Sequence, residues 1–308
     1  RGILTKILTT PYSTDAYELG ITLYNHTIFI EEHDLRPPTA AYGSSERDKL
    51  MTYMGYKFES LATVDTPPGV LQGMGEGERE GVLARRDGGV VNTNRQYCCV
   101  VKTRVGRHGV VMGAEVDCLV DDVKPKTNPQ TAYAELKTNR VITNPNQRRS
   151  FERHKLLKVW AQSFLPGIPT VIVGYRHDDG RLSHIQSLKT MSIPRMVRES
   201  ASQSGRGGGG GHGEPPWDPT ICLNFGNAFL DWVRGVVGVG FGDADVVYTV
   251  RCDYDDGDDG ARRGGGYGRG GGRRRVVKLV KIERGVQGPT GVFIPQWYRE
   301  GRRPGSDA

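Results

Sequence analysis

The sequence has 308 residues, enough for one large domain or two ordinary ones. Its formal net charge of +7 favours a polyanionic partner such as nucleic acid. It contains no apolar run long enough to span a bilayer and opens on no signal-peptide pattern. The five cysteines include no C-x-x-C pair, so neither a zinc site nor a disulfide framework is indicated, and a reducing compartment fits best. Because the first residue is Arg1, we expect an N-terminally truncated fragment.

The first hundred residues predict strands followed by a helix. Residues 1–40 are typical of strand and turn, with hairpin arms at 21–24 and 27–30 around Asn25 and His26. Residues 44–63 predict an amphipathic helix whose apolar stripe is Leu50, Met54, Phe58 and Leu61. Glu59 lies at the margin of that stripe, and on pattern alone it is more often a solvated glutamate. Residues 69–87 are rich in glycine and charge and predict a loop.

Two short strands carry the most informative pattern in the chain. Residues 110–120 place Glu115 and Asp117 on one strand face, and residues 134–138 place Glu135 and Lys137 on one face of the next. Carboxylates at positions i and i+2 lie roughly 7 Å apart and repel by about 2 to 3 kcal/mol at an effective dielectric of about 20. Three such groups in a partly buried place favour a divalent cation, Mg or Mn, and a neighbouring lysine suits a phosphate or an attacking water. Either pattern alone is commonly solvated surface, whereas their combination predicts metal-dependent phosphodiester or pyrophosphate chemistry.

The second half of the chain alternates helices and strand pairs. Residues 96–103 predict a strand near the Glu115 strand, and residues 147–165 predict a long helix with Phe151, Trp160 and Phe164 on its apolar face. Much of the rest of that helix is basic, a plausible track for a phosphate backbone or an ordinary solvated surface. Strand pairs are predicted at 170–175 with 183–188 and at 246–252 with 276–282, and a helix at 223–237.

Two glycine-rich segments interrupt these elements. Residues 202–216 contain a glycine run, and residues 253–275 contain an acidic run followed by Arg-Gly repeats. Neither holds enough apolar surface to offset its ordering entropy, so we expect mobile insertions in a single catalytic domain spanning 1–308. The second would be an enlarged hairpin loop, either a plain spacer or a contact for RNA.

Four ordered motifs resemble the DXO/Rai family of RNA 5′-end decapping enzymes. Arg1-Gly2 and the residues up to Tyr12 resemble its first motif, and residues 55–59, ending in Glu59, resemble its second. Glu115 to Asp117 and Glu135 to Lys137 resemble its third and fourth, and residues 160–165 resemble a further family segment. The resemblance runs from Arg1 to about residue 298 and is broken by the two insertions.

This resemblance implies a fold, a site and a reaction. The fold would be α+β, with two mixed β-sheets, flanking helices and a core similar to the D-(D/E)-x-K nucleases. The metal ligands would be Glu59, Glu115, Asp117, Glu135 and the carbonyl of Leu136, and together they would hold two Mg or Mn ions. Lys137 and Gln162 would contact the scissile phosphate or the attacking water, and Arg1 would hold substrate phosphate. The resemblance also implies decapping of incompletely capped RNA and pyrophosphate release from 5′-triphosphate RNA, with NAD-cap removal and 5′→3′ exonuclease activity in some members.

The resemblance is greatest to fungal nuclear Rai-type members, which bind a nuclear XRN-type 5′→3′ exoribonuclease. It therefore implies RNA 5′ ends and that exoribonuclease as partners, no membrane, and a nuclear location with a cytoplasmic one as the alternative. Two other functions stay open on the sequence. One is a DNA endonuclease with the same Glu-x-Lys core, and the other is a non-catalytic scaffold that stabilises an exoribonuclease.

Overall fold

The computed structural model describes residues 1–13, 15–35, 45–120, 128–204, 215–255, 274–282 and 294–300. The chain forms two compact units. Unit 1 comprises Arg1–Thr9 and Thr39–Leu223, and unit 2 comprises Thr10–Pro38 and Asn224–Ala308. The expectation of a single catalytic domain stays a prediction, and most of both glycine-rich insertions (205–214 and 256–273) lies outside the described residues.

Unit 1 holds most of the helices. Its described elements, in chain order, are α1 (Gly2–Thr9), α2 (Glu46–Ala62), α3 (Pro68–Gly73), α4 (Glu76–Gly88), β3 (Tyr97–Val105), β4 (His108–Val116), β5 (Cys118–Leu119), β6 (Tyr133–Arg140), α5 (Pro145–Ser150), a π-helical stretch (Phe151–Leu156), α6 (Leu157–Phe164), β7 (Thr170–Arg176), β8 (Leu182–Lys189), α7 (Ile193–Ser204) and the start of α8 (Pro219–Val237). Short 3₁₀ turns precede β6 and α7.

A mixed four-stranded sheet forms the centre of unit 1. Its order is β5-β6-β7-β8, with β6 and β7 parallel and the outer pairs antiparallel. A parallel pair requires a crossover connection, and the α5–α6 helix provides it. The core beside this sheet contains fully buried side chains from strands and helices, including Leu136, Val171, Leu156 and Trp160.

Helix α2 packs on this sheet through two residues of the predicted stripe. Met54 and Phe58 are buried, and a Cβ at Gly174 of β7 would lie 2.5 Å from a ring carbon of Phe58. The absence of a side chain at Gly174 therefore lets the helix approach the strand closely. The prediction for the two ends of the stripe was wrong, because Leu50 and Leu61 are exposed.

The segment between α2 and β4 differs from its prediction. Residues 69–87, predicted as a loop, contain α3 and most of α4, because acidic residues at the start of α4 and arginines at its end favour a helix despite the glycines. Strands β3 and β4 pair antiparallel, with Cys98 opposite Glu115, so the predicted position of the 96–103 strand near the Glu115 strand is confirmed. Strand β4 ends at Val116, however, so Asp117 lies in the break before β5.

The helix predicted at 147–165 is continuous but contains a π-helical stretch. Asn144 caps α5 by accepting a hydrogen bond from the Gln147 amide at 3.0 Å, and Pro145 occupies its first turn. Phe151 and Trp160 are buried as predicted, whereas Phe164 is only partly buried. Helix α7 was not predicted, and it includes residues 202–204 of the first insertion.

Unit 2 contains an antiparallel sheet of order β10-β9-β1-β2, formed by β1 (Tyr17–Tyr24), β2 (Thr27–His33), β9 (Val247–Asp255) and β10 (Arg274–Ile282). Asn25 and His26 have φ of 46° and 61°, the left-handed pair of a two-residue hairpin turn. The rest of α8 and the short α9 (Gln296–Glu300) complete the described elements. The ends of the second insertion, 253–255 and 274–275, belong to β9 and β10.

The α+β class is confirmed, with a difference in the sheets. The described residues form three sheets rather than two, and only the sheet of unit 1 that contains β6 and β7 is mixed. Residues 1–40 were predicted as strand and turn, but Gly2–Thr9 is a helix that buries Ile7 and Leu8. None of the helices in the described residues has the length and apolar character needed to cross a membrane.

Candidate active site

Strand β6 places a carboxylate and an ammonium group side by side in unit 1. Glu135 is fully buried, and its neighbours Ala134 and Leu136 on the other strand face are buried as well. Lys137, two residues further on, keeps about a quarter of its side chain exposed. The strand is therefore covered on both faces at Glu135, and the charged face opens towards solvent at Lys137.

Two positive side chains neutralise the buried carboxylate. Arg1 Nη1 donates to Glu135 Oε2 at 2.6 Å, and Lys137 Nζ lies 2.6 Å from Glu135 Oε1. Although Lys137 is close, Oε1 accepts no hydrogen bond of acceptable geometry. Arg1 also donates from Nη1 to the carbonyl of Glu115 at 3.0 Å and from its main-chain nitrogen to the carbonyl of Gly113 at 2.7 Å. Arg1 thus connects α1, β4 and β6.

The break between β4 and β5 turns Asp117 towards β6. Its Oδ2 accepts a hydrogen bond from the main-chain amide of Leu136 at 2.6 Å and lies 3.9 Å from Lys137 Nζ. Burial, and then the charge of Glu135, raise the pKa of Asp117 to about 6. Lys137, the Leu136 amide and Arg1 act in the opposite direction. The positive groups around Asp117 therefore offset only part of the increase in its pKa.

Helix α2 adds Glu59 to this group. Burial raises the pKa of Glu59 to about 7, and the negative charges of Asp117, Glu115 and Glu135 contribute in the same direction, while Lys137 opposes them. Glu59 therefore lies within electrostatic range of Asp117, Glu115 and Glu135.

These residues suit a divalent cation in their chemistry. Carboxylate oxygens are the ligands that Mg and Mn prefer. Burial first and neighbouring carboxylates second raise the pKa values of Glu59 and Asp117, and a bound cation would favour the charged form of both. The buried Oε1 of Glu135 accepts no hydrogen bond, and an ion that binds it would compete with Lys137. Within the described residues no three His, Cys, Asp or Glu side chains stand close enough to chelate an ion as they are. The oxygen donors are therefore of the type that a divalent ion prefers, but in this structure Glu135 and Asp117 lie next to Arg1 and Lys137 instead of an ion.

Two of the predicted site residues are placed less closely. Gln162 lies on α6, and its side chain, which is partly buried, forms no hydrogen bond with a described residue. Leu136 uses its amide to hold Asp117. Whether its carbonyl is a ligand stays a prediction, as do the roles of the other residues.

Sequence reasoning missed one charged residue beside the site. Lys155, in the π-helical stretch, donates from Nζ to the Thr138 carbonyl and, at 3.2 Å, to Asn139 Oδ1. Burial, then the charges of Arg176 and Lys137, lower its pKa to about 8. The sequence gives no local signal for its burial, because Lys158 also lies between buried residues, Leu157 and Val159, and is exposed. Lys155 was therefore grouped with the other basic residues of the helix.

Comparison with known proteins matches this chain to one nuclease family. The family model of the RAI1-like PD-(D/E)XK nuclease matches residues 1–262. A Neurospora crassa protein named decapping nuclease RAI1 is 40% identical over 244 residues, which are 77% of this chain and 54% of that protein. The human decapping and exoribonuclease protein is 38% identical over 241 residues, 77% of this chain and 53% of that protein. The chain spans about half the length of the curated relatives it matches.

Solved structures give the same result. Candida albicans Rai1 in complex with pU5-Mn2+ is 29% identical, with a TM-score of 0.66, covering 81% of this chain and 64% of that one. S. pombe Rai1 in complex with 3'-FADP is 27% identical, with a TM-score of 0.59, covering 92% of this chain and 70% of that one. Because a family model spans most of its length and relatives are 38% and 40% identical over 77% of it, the chain belongs to the family of RAI1-like PD-(D/E)XK nucleases.

Proposed function

We propose that this chain is a metal-dependent hydrolase of RNA 5′ ends that removes incomplete caps and releases pyrophosphate from 5′-triphosphate RNA. The observation that carries the proposal is the buried Glu135, held between Arg1 and Lys137 and close to Asp117 and Glu59. Buried carboxylates with perturbed neighbours cluster at functional sites, which supports a catalytic role for this group. Family membership, and the names of the decapping relatives, support the same reaction.

The residues divide the work between ion and substrate. Glu59, Glu115, Asp117 and Glu135, with the Leu136 carbonyl, would hold one or two ions, Mg or Mn. A bound divalent ion activates water and stabilises charge on a phosphate in an in-line displacement. Lys137 offers a compact positive charge, already beside two of these carboxylates, to the attacking water or the phosphate. Arg1 and Gln162 would contact substrate phosphate, and for Arg1 this requires exchange of its contact with Glu135.

Further substrates and a partner belong to the same proposal. The human relative is named a decapping and exoribonuclease protein, which supports 5′→3′ exonuclease activity here. The S. pombe Rai1 complex with 3'-FADP supports recognition of dinucleotide-type caps, of which NAD is one. By resemblance we place the protein in the nucleus, with the cytoplasm as the alternative, as a partner of an XRN-type exoribonuclease. Co-purification and thermal stabilisation of that partner would test the association.

The deciding experiment uses 5′-triphosphate RNA labelled at the γ-phosphate or in the body, incubated with Mg or Mn. Release of pyrophosphate from an intact body is the expected result. Body label released as mononucleotides would add exonuclease activity. No release with either ion, or full activity in a Glu115→Ala, Asp117→Ala double variant, would contradict the proposal.

A further inference from the structure

A concave surface lies on unit 1 beside α2, the helix that also carries Glu59. It is a groove of about 600 Å³ between α2 and the segment that follows α4. Its lining includes Lys49, Thr52, Tyr53, Tyr56, Gly89 and Val90. This volume is within the range of sites that hold small molecules.

Hydrogen bonds hold the end of α4 against α2 beside the groove. Arg86 Nη1, near the end of α4, donates to the carbonyl of Leu61 at 2.7 Å, and Lys57 Nζ donates to the carbonyl of Arg86 at 3.4 Å. These contacts connect the end of α4 to α2. The segment that follows α4 begins at this connected end and lines the groove opposite the tyrosines of α2.

The groove and the acidic site share α2. Thr52 and Glu59 are seven residues apart, nearly two helical turns, so they lie on one stripe about 10 Å apart along the axis. Tyr56 is three residues before Glu59, on the adjoining position of the same face. Met54 and Phe58, which are buried, occupy the other side of the helix. A chain whose reacting phosphate lies at Glu59 would reach the groove within one or two nucleotides.

The lining suits a nucleobase better than an apolar partner. Tyr53 is 52% exposed and Tyr56 is 36% exposed, so both rings are available for stacking. Lys49 Nζ lies 2.8 Å from Glu46 Oε1, but this pair is largely solvated and therefore weak, which leaves the lysine available to a phosphate. Aromatic rings beside a basic side chain are the usual means of binding single-stranded nucleic acid without strong sequence preference. Val90, on the opposite wall, is 97% exposed, so the groove is open rather than closed around one small molecule.

We propose that this groove binds the body of the substrate RNA, with Tyr53 and Tyr56 stacking on nucleobases one or two positions beyond the reacting 5′ phosphate. An open groove favours a strand that continues through it over a cap nucleoside, which ends. The inference rests on the proposed function for the position of the 5′ end. It assigns α2 two tasks, a metal ligand at Glu59 and an RNA platform two turns earlier.

The test compares two lengths of RNA on three variants. Binding of uridine 5′-monophosphate and of a 5′-phosphorylated hexauridylate is measured by competition fluorescence anisotropy with Ca²⁺. The variant Tyr53→Leu, Tyr56→Leu should lose at least about fivefold in affinity for the longer RNA, the lower end of the effect of one stacked base. Tyr53→Phe, Tyr56→Phe keeps the rings and should keep the affinity. Trp297→Leu removes an exposed aromatic ring from unit 2 and is the matched control.

Photocrosslinking separates a binding role from a structural one. In the wild-type protein, 4-thiouridine at the second or third nucleotide should crosslink to peptides of α2 or of the segment after α4. Equal loss of affinity for both lengths, no loss in the leucine variant, or crosslinks confined to other peptides would each overturn the inference. Hydrolysis of 5′-triphosphate RNA by the same wild-type preparation is scored separately. Tyrosine-dependent binding without hydrolysis contradicts the proposed function alone, and hydrolysis without tyrosine dependence contradicts the groove alone.

Discussion

Replacing Glu59 by glutamine should stabilise the metal-free protein at pH 8. In the folded protein the pKa of Glu59 is raised from 4.5 to about 7. At about 1.36 kcal/mol per pKa unit, this corresponds to at most about 3.4 kcal/mol of destabilisation above pH 7. Because Glu59 is only partly buried, we reduce this to about 1 to 2 kcal/mol, or roughly 2 to 8 °C in Tm.

The direction follows from proton linkage. Between pH 4.5 and 7 the folded state binds more protons at Glu59 than the unfolded state does, so this contribution to stability falls as the pH rises. The increase in the free energy of unfolding caused by Glu59→Gln should therefore be complete at pH 8 and small at pH 5. Divalent ions should stabilise the wild-type protein at pH 8 and the variant much less, because the variant lacks one proposed ligand.

Thermal unfolding with EDTA, at pH 5 and pH 8, measures this effect. Glu80→Gln, on the exposed surface of α4, is the matched control for loss of one carboxylate and should change Tm little at either pH. A Glu59→Gln variant that is less stable than wild type at pH 8, or equally shifted at both pH values, would show that Glu59 is not a strained carboxylate.

Three further predictions follow from the same contacts. Glu135→Gln should lower the free energy of unfolding in EDTA by about 1 to 3 kcal/mol, because Arg1 and Lys137 lose their charged partner. This change is opposite in sign to that of the Glu59 variant, and urea unfolding measures it. The free energy of unfolding should rise between pH 8 and 10.5 in the wild-type protein and rise less in Lys155→Met. Burial and neighbouring positive charges lower the pKa of Lys155 to about 8 in the folded protein. The folded state therefore binds fewer protons than the unfolded state in that pH range. Gly174→Ala should cost about 1 to 3 kcal/mol and reduce hydrolysis, because its Cβ would collide with Phe58, and Phe58→Leu should partly restore both.

Strand periodicity predicted the centre of the site from the sequence. Alternation of apolar and charged residues correctly placed Glu135 and Lys137 on one face of β6, because strand side chains have a fixed period of two. The same prediction was wrong for Asp117, which lies in the break after β4 and not on the strand of Glu115. It could not show that β6 is buried on both faces at Glu135, since burial of the charged face depends on residues distant in sequence. The contact of Arg1 with Glu135 is of the same kind, 134 residues apart, and no local pattern encodes it.

Helix prediction failed where local composition and tertiary packing disagree. The segment that forms α4 contains several glycines, and its helix is favoured by end charges that a loop-like composition conceals. In α2 the four-residue stripe was correct only at Met54 and Phe58, where β7 lies against the helix. Periodicity gives the side of a helix that can be buried, whereas the neighbouring strand decides how much of it is.

Because Glu135 is paired with Arg1 and Lys137, a divalent ion can bind this carboxylate only by competing with those positive side chains. The buried carboxylate carries its own counter-ions, so the protein can fold and persist without an ion, at little electrostatic cost at that residue. A divalent ion that binds Oε1 must take the place of the lysine ammonium. Exchange at Glu135 would thus set Lys137 free for phosphate only when the ion is present, so that one carboxylate couples the loading of the ion to the availability of the lysine.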